Sequence, residues 1–548
     1  MSDEIDNEPR HDDDAGIGRR HFIQAIGLAG AVTAIGGALP GTARAATGPT
    51  LLRTPDSAGA PAPTQLHLQF GADASKTMVA SWSTSQRVRN PRMRLGSPHG
   101  GFGDVVHADE RVYTDALTGE TIYTYHAVAD GLDASADHIY EAYAAGSPSE
   151  GGSFRTGPDR RAPFRFTSFG DQAIPAAVGS GKLVGPHTVN AGYIVDAVEA
   201  LDPLFHLLNG DLCYANVSDD PPATWRSFFT NNSRSARNRP WMPAAGNHEN
   251  ESGNGPQGYL AYQTWFTVPS NGQPQPFLGN WYTFKVGNVA VLSLNNDDVC
   301  IQAGSFAAYR VANNIDKTYL QDYVRGYSAG EQKRWLEATL QHHRRDENID
   351  WIIVVMHQVA MSSAHFNGAD LGIRQEWLPI FEKYGVDLVV AGHEHHYERT
   401  HAVHGFDSHA TAPNGAGLLT PQARTSSLDV IDTTKGTVHM IIGGGGHSFA
   451  TPFSAFDAPH DGVVIYDTDT SAVVNGIGSR PSKITTESGD WSAFRDLVNP
   501  YGFCSFDVDP GRPHGNTSIK VTYYGTQAGS ADYSQVVDAF TLQRPRRH

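Results

Sequence analysis

Five short apolar runs, each ending in a residue able to bind a metal, constrain this chain more than any other feature. They are "FRFTSFGD" from Phe164, "LFHLLNGD" from Leu204, "WMPAAGN" from Trp241, "WIIVVMH" from Trp351 and "VDLVVAGH" from Val386. Runs that are continuously apolar, rather than alternating, suit strands buried on both faces. Helical patterns such as "TVNAGYIVDAVEAL" and "EQKRWLEATLQHHRR" lie between them. That succession predicts an α/β layer with parallel strands. In open α/β sheets, ligands collect at the carboxyl ends of the strands.

The strand ends carry Asp171, then Asp211 with Tyr214, Asn247 with His248, His357, and His393 with His395. Two carboxylates, a phenol, an amide and several imidazoles cannot be buried together unpaired without a severe desolvation cost. Metal cations would satisfy them jointly. In an extended loop His393 and His395 would point the same way and Glu394 the other. Gly170, Gly210, Gly246 and Gly392 stand where a tight turn would let the chain approach an ion.

In order, these blocks read GD, GDxxY, GNHE, VxxH and GHxH, which resembles the calcineurin-like metallophosphoesterases. Tyr214 and the "YER" from Tyr397 resemble the purple acid phosphatases among them. The resemblance covers nearly all the chain and implies an αββα sandwich of two mixed sheets flanked by helices, over 161–548. A fibronectin type III-like β-sandwich would precede it, over 46–160. It implies a ferric site of Asp171, Asp211, Tyr214 and His395, and a divalent site (zinc, manganese or ferrous iron) of Asp211, Asn247, His357 and His393, bridged by Asp211. Phenolate and carboxylate oxygens suit ferric iron, and imidazole and amide suit the softer ion. The reaction implied is hydrolysis of small phosphate monoesters by attack of a metal-bound hydroxide on phosphorus. His248 and His365 are the candidates for holding phosphate and protonating the leaving alkoxide. His396 and Arg399 are weaker candidates, and Glu249 either orients an imidazole or faces solvent. The family's first block is usually GDxG, whereas Gln172 is followed here by Ala173 and Ile174. Cys213, between two ligands, reads as buried packing.

The rest of the chain frames this site. At 548 residues it exceeds one ordinary core. Residues 1–45 contain Arg19–Arg20, a weakly apolar Ala/Gly stretch and Ala43-Arg44-Ala45, resembling a twin-arginine export signal. This implies handling by the twin-arginine machinery and a secreted, periplasmic or cell-envelope location. Short alternating segments between Gln65 and Gly146 predict the small antiparallel sandwich. The strand-like "YGFCSFDVDPG", "TSIKVTYYGT" and "SQVVDAFTLQR" should complete a second sheet. A net charge of −17 argues against nucleic-acid binding. No apolar run of about 18 residues is present to anchor the chain in a membrane. Three cysteines, Cys213, Cys300 and Cys504, allow at most one disulfide.

Several fragments imitate other chemistries. "HEHHY" has Tyr397 where a zincin needs histidine, and "AAVGSGKL" has Leu183 where a P-loop needs Ser or Thr. "IIGGGGHS" reads as a tight turn beside the site, with His447 an outer wall at best. "GYSAG" fits the nucleophile-elbow formula, but no apolar strand precedes it; Ser328 with Glu331 reads as a capping box. The rival functions are a phosphodiesterase or nucleotidase on the same site, and a non-catalytic envelope protein.

Overall fold

The computed structural model describes residues 59–181, 185–251, 258–299, 328, 330–364, 373–404, 422–448, 455, 457–458, 460–466, 473–474, 477–478 and 482–547. Alternate residues of its central strands enter two different cores. In β12 (Val289–Ser293), Val289 and Val291 face one core while Ala290 and Leu292 face the other. In β13 (Trp351–Val355), Ile353 and Val355 part from Ile352 and Val354 in the same way. This period of two explains why the runs are apolar throughout. One core continues into Leu336 and Leu340 of the helix Glu331–Arg345 and Phe381 of the helix Leu378–Tyr384. The other reaches Phe166, Phe205 and Phe506 of a facing sheet.

Two seven-stranded mixed sheets result. One runs β11 (Tyr282–Val286), β12, β13, β14 (Leu388–Ala391), Val438–Ile442, β15 (Tyr397–Thr400) and Ser492–Asp496. The other runs β10 (Trp241–Pro243), β9 (Phe205–Leu208), β8 (Phe164–Phe169), Tyr501–Asp509, Asn516–Thr526, Val536–Pro545 and Val430–Asp432. Strands β8, β9 and β10 are mutually parallel, as are β12, β13, β14 and Val438–Ile442. Helices α1 (Asn190–Ala200) and α2 (Pro221–Ala236) bury Ile194, Val198, Trp225 and Phe229 in the core that holds Phe166 and Phe205. Asp220 caps α2 by accepting the Ala223 N–H ahead of two prolines, a favourable helix start.

Ahead of these layers lie β1 (Thr64–Phe70), β2 (Met78–Thr84), β3 (Arg92–Ser97), β4 (Gly101–Thr114), β5 (Thr121–Ala129), β6 (Asp137–Tyr143) and β7 (Glu150–Arg155), all antiparallel in the order β1-β2-β5-β4-β3-β6-β7. The long β4 pairs with β3 in its first half and β5 in its second, which joins the two halves of the all-β domain. Most of β4 is exposed, so its sequence shows no apolar alternation. The domain packs on the two-sheet layers through buried rings, Phe70 against Phe205 and Phe284 and His67 against Phe229, and through polar contacts. Ser233 Oγ donates to Leu66 O at 2.8 Å, and Arg111 donates to Gln263 O and Phe266 O at 2.5 and 2.8 Å. Among the described residues, no helix is long and apolar enough to cross a membrane.

The capping box anticipated at Ser328 and Glu331 does not form. Gly330 takes the N-cap position at φ 83°, which glycine tolerates. Ser328 Oγ instead donates to Asp298 Oδ2 at 2.7 Å and accepts the Gln332 N–H at 3.2 Å.

Candidate metal centre

The five apolar runs deliver their polar ends to one place because β8, β9, β10, β13 and β14 end there. The turns are tighter than an extended chain allows. Asp171, Asp211, Tyr214 and His393 have φ of 59°, 48°, 57° and 70°, left-handed values that side chains rarely adopt. Such strain persists where surrounding structure over-determines it, and it gathers at functional sites. Gly210 is also left-handed, at φ 82°, and a Cβ there would lie 2.7 Å from the His357 ring.

The side chains form two neighbouring clusters. In one, the Tyr214 hydroxyl donates to Asp171 Oδ1 at 3.1 Å and lies 3.1 Å from His395 Nε2, which is itself 3.3 Å from Asp171 Oδ1. In the other, His357 Nε2 lies 3.0 Å from Asp211 Oδ2, and His393 Nδ1 lies 3.1 Å from Asn247 Oδ1 and 3.3 Å from His357 Nε2. Atoms of Asp211, His357 and His393 fall within 4.8 Å of one another, close enough to hold one ion. His393 and His395 therefore face different clusters, because the chain between them is turned: His396 N–H donates to Glu394 O at 2.7 Å.

Electrostatics favour a cation here. Burial alone would raise the Asp211 carboxyl, but the imidazoles of His357, His248 and His393 hold it far below the usual range. Burial alone would lower His357, yet the carboxylates of Asp211 and Asp171 raise it to about 10. Burial, then the same carboxylates, push the Tyr214 phenol well above its usual value. The pattern is a surplus of buried donors to a positive charge. The set offers carboxylates, a phenol, an amide and imidazoles in the mixture that suits one harder and one softer ion.

The neighbouring residues differ from expectation in several places. Glu249 neither orients an imidazole nor faces solvent; it is buried and accepts the N–H groups of Asp211, Leu212 and Gly246 at 2.9, 2.8 and 2.7 Å. Burial pushes its carboxyl up to about 8, with the Leu212 and Gly246 N–H groups opposing. His396 turns away to Glu398 at 3.2 Å, and Arg399 pairs with Asp538. Cys213 is a buried free thiol in the core. His248 lies beside the second cluster, its Nε2 3.9 Å from Asp211 Oδ2. Burial lowers its pKa. His365 lies outside the described residues, as do Cys300 and residues 1–45.

Four residues were not singled out for the roles they take. Asn209 O accepts His357 Nδ1–H at 2.7 Å, which leaves Nε2 facing Asp211. Asn296 Oδ1 accepts the His357 backbone N–H at 2.8 Å. Asn216 Oδ1 lies 2.7 Å from His248 Nδ1. His447, read as an outer wall, stands with its ring 4.3 Å from that of His395. Asn209 and Asn216 border the GDxxY block, and only that proximity could have drawn attention to them.

A model of the calcineurin-like phosphoesterases matches residues 187–397, and one of the purple acid phosphatase N-terminal domain matches residues 63–156. The chain is 48% identical over 539 residues to an uncharacterized protein of Mycobacterium tuberculosis, covering 97% of each. It is 26% identical over 402 residues to the Fe(3+)-Zn(2+) purple acid phosphatase 12 of Arabidopsis thaliana, covering 71% of this chain and 73% of the relative. Its fold resembles that of the purple acid phosphatase PPD1 from yellow lupin, Lupinus luteus, with a TM-score of 0.61 at 19% identity, over 89% of this chain and 75% of that one. Both the all-β domain and the two-sheet layer are accounted for, and the chain belongs to the purple acid phosphatase family of phosphoesterases.

Proposed function

We propose that this protein is a dinuclear-metal phosphatase of small phosphate monoesters. The observation that carries the reading is the pairing of two donor clusters of different chemistry at one end of the parallel strands. Asp171, Tyr214, His395 and Asp211 would hold ferric iron. Asp211, Asn247, His357 and His393 would hold zinc, manganese or ferrous iron. The relative named for iron and zinc supports that assignment. Two such ions, when bound, would supply positive charge against phosphoryl oxygens and would acidify a water.

The chain's own residues do the rest. Asn209 O and Asn296 Oδ1 fix the tautomer and position of His357. Asn216 takes His248 Nδ1, so Nε2 is the nitrogen left to hold phosphate or carry the proton that the leaving alkoxide needs. The Arg19–Arg20 segment supports export of the folded, metal-loaded protein by the twin-arginine route.

The test is metal analysis and a visible spectrum of purified wild type and Asp211→Asn. About two metal equivalents, an absorption band from a Tyr214-bound ferric ion and loss of metal in the variant are expected. Faster turnover of p-nitrophenyl phosphate than of its bis ester is also expected. A colourless, iron-free wild type with full activity would sink the ferric assignment, and a preference for the bis ester would make the enzyme a diesterase.

A further inference from the structure

Four consecutive glycines, Gly443–Gly446, follow the strand Val438–Ile442 and end on His447. Side chains have no room along this run. A Cβ on Gly443 would lie 2.9 Å from Asp171 Oδ2, one on Gly445 2.6 Å from the Phe169 ring, and one on Gly446 2.8 Å from Ala191 Cβ. The run therefore lies directly against the loop that carries Asp171. Gly445 N–H donates to Gly170 O at 2.9 Å, and His447 N–H donates to Asp171 O at 2.7 Å. These bonds fix where the His447 side chain starts.

Its ring ends beside the first cluster, 4.3 Å from the ring of His395 and 4.8 Å from that of Tyr214. The His248 ring lies 4.5 Å from the same tyrosine, so besides His395 the tyrosine has an imidazole neighbour, His248 or His447, from each of two further loops. The two differ in what holds them. His248 Nδ1 is occupied by Asn216. The His447 ring nitrogens have no hydrogen-bond partner among the described residues, and the residue is half-buried. His395 Nε2 reaches the Asp171 carboxylate at 3.3 Å, whereas His447 makes no comparable contact with either carboxylate. Its place is thus beside the donor cluster rather than in it. An imidazole N–H held at the rim of a cation site is suited to a tetrahedral oxyanion.

We propose that His447 is a phosphate-binding residue, gripping a phosphoryl oxygen of substrate and of inorganic phosphate from the Tyr214–His395 side. The proposal rests on the dinuclear phosphatase reading above. It assigns a role to the glycine run, which is to bring a histidine against the first ligand loop without intervening side chains.

The test uses metal-loaded wild type, His447→Ala and His447→Gln, with metal content, visible spectrum, inhibition by inorganic phosphate, and KM and kcat on p-nitrophenyl phosphate measured for each. Loss of one charge-assisted hydrogen bond should weaken phosphate inhibition about tenfold or more and raise KM similarly. Metal content and spectrum should be unchanged, kcat should fall less than KM rises, and the glutamine variant should recover part of the loss. Wild-type phosphate binding in a fully metallated alanine variant overturns the proposal. Loss of a metal equivalent from that variant also overturns it, because it would make His447 a ligand. A wild type that holds no metal and binds no phosphate overturns both this proposal and the reading beneath it.

Discussion

Glu249 shows how much of the centre depends on a residue outside both donor clusters. Its carboxylate gathers the N–H groups of Asp211, Leu212 and Gly246, so one side chain fixes the β9 and β10 loops against each other. Two of those N–H groups belong to or adjoin strained or crowded positions: Asp211 is left-handed, and Gly246 has no room for a Cβ beside it. Glu249→Ala leaves three buried donors without an acceptor, each costing about 1–3 kcal/mol. The variant should lose on the order of 3 kcal/mol or more of stability in urea unfolding, and, on the proposed assignment of Asp211 and Asn247 as ligands, should release metal on dialysis. Glu249→Gln keeps one acceptor oxygen and should lose less. Retention of both stability and metal in the alanine variant would show that the turns hold themselves.

The strand β15, with the sequence "YERT", follows the histidine cluster directly. Arg399 does not face the donor clusters. It forms a buried ion pair with Asp538 of Val536–Pro545, the Tyr397 hydroxyl donates to the same carboxylate at 2.8 Å, and the guanidinium lies 4.3 Å from the Phe540 ring. The pair ties one sheet to the other across the core. Removing one partner of such a pair leaves an uncompensated buried charge, at a cost of about 3–5 kcal/mol. Arg399→Met should lower thermal stability by that order while metal content and KM at permissive temperature stay close to wild type. A variant of normal stability with weakened substrate binding would move Arg399 into the site. The same contrast shows what the sequence could convey. The strand-end clusters were legible because doubly buried parallel strands leave a continuous apolar run, and the polar residue that ends each run stands out. The partners of Arg399, His357 and His248, and the Asp211 and Leu212 partners of Glu249, were not, because those contacts join residues from different loops or strands. Their identity follows from strand order, which local pattern does not encode. The exposed β4 was missed for a different reason: without a buried face there is no alternation to detect.

The whole molecule adds a dependence on acidity that arises away from the donor clusters. The all-β domain and the catalytic layers, parts of one compact unit, meet around buried imidazoles. His126 in β5 has Nε2 3.0 Å from Thr264 O, and Nδ1 2.8 Å from Ser81 Oγ. Burial, with Arg111 and His67 nearby, puts its pKa well below the usual value. Burial likewise depresses His206 strongly, His343 to about 4 and His439 to about 3. Each of these groups takes up a proton near pH 6.5 when the chain unfolds, but resists it while folded. Below that pH the unfolded chain binds more protons, so the stability each group contributes is present above about 6.5 and is lost as pH falls toward its folded pKa. The limiting slope is about 1.4 kcal/mol per pH unit per group. Buried Asp298, raised to about 6 by its burial, works in the opposite sense, so the total slope is a difference. A single substitution isolates one contribution. His126→Gln can keep an amide contact to Thr264 and Ser81 but cannot titrate. Any deficit it shows at pH 7 should therefore shrink as unfolding is measured at pH 6 and then pH 5, because only the wild type is losing His126-linked stability. A deficit that stays constant across that range would mean that His126 carries the same charge folded and unfolded. The contacts of His126 between the two parts of the molecule would then be indifferent to acid.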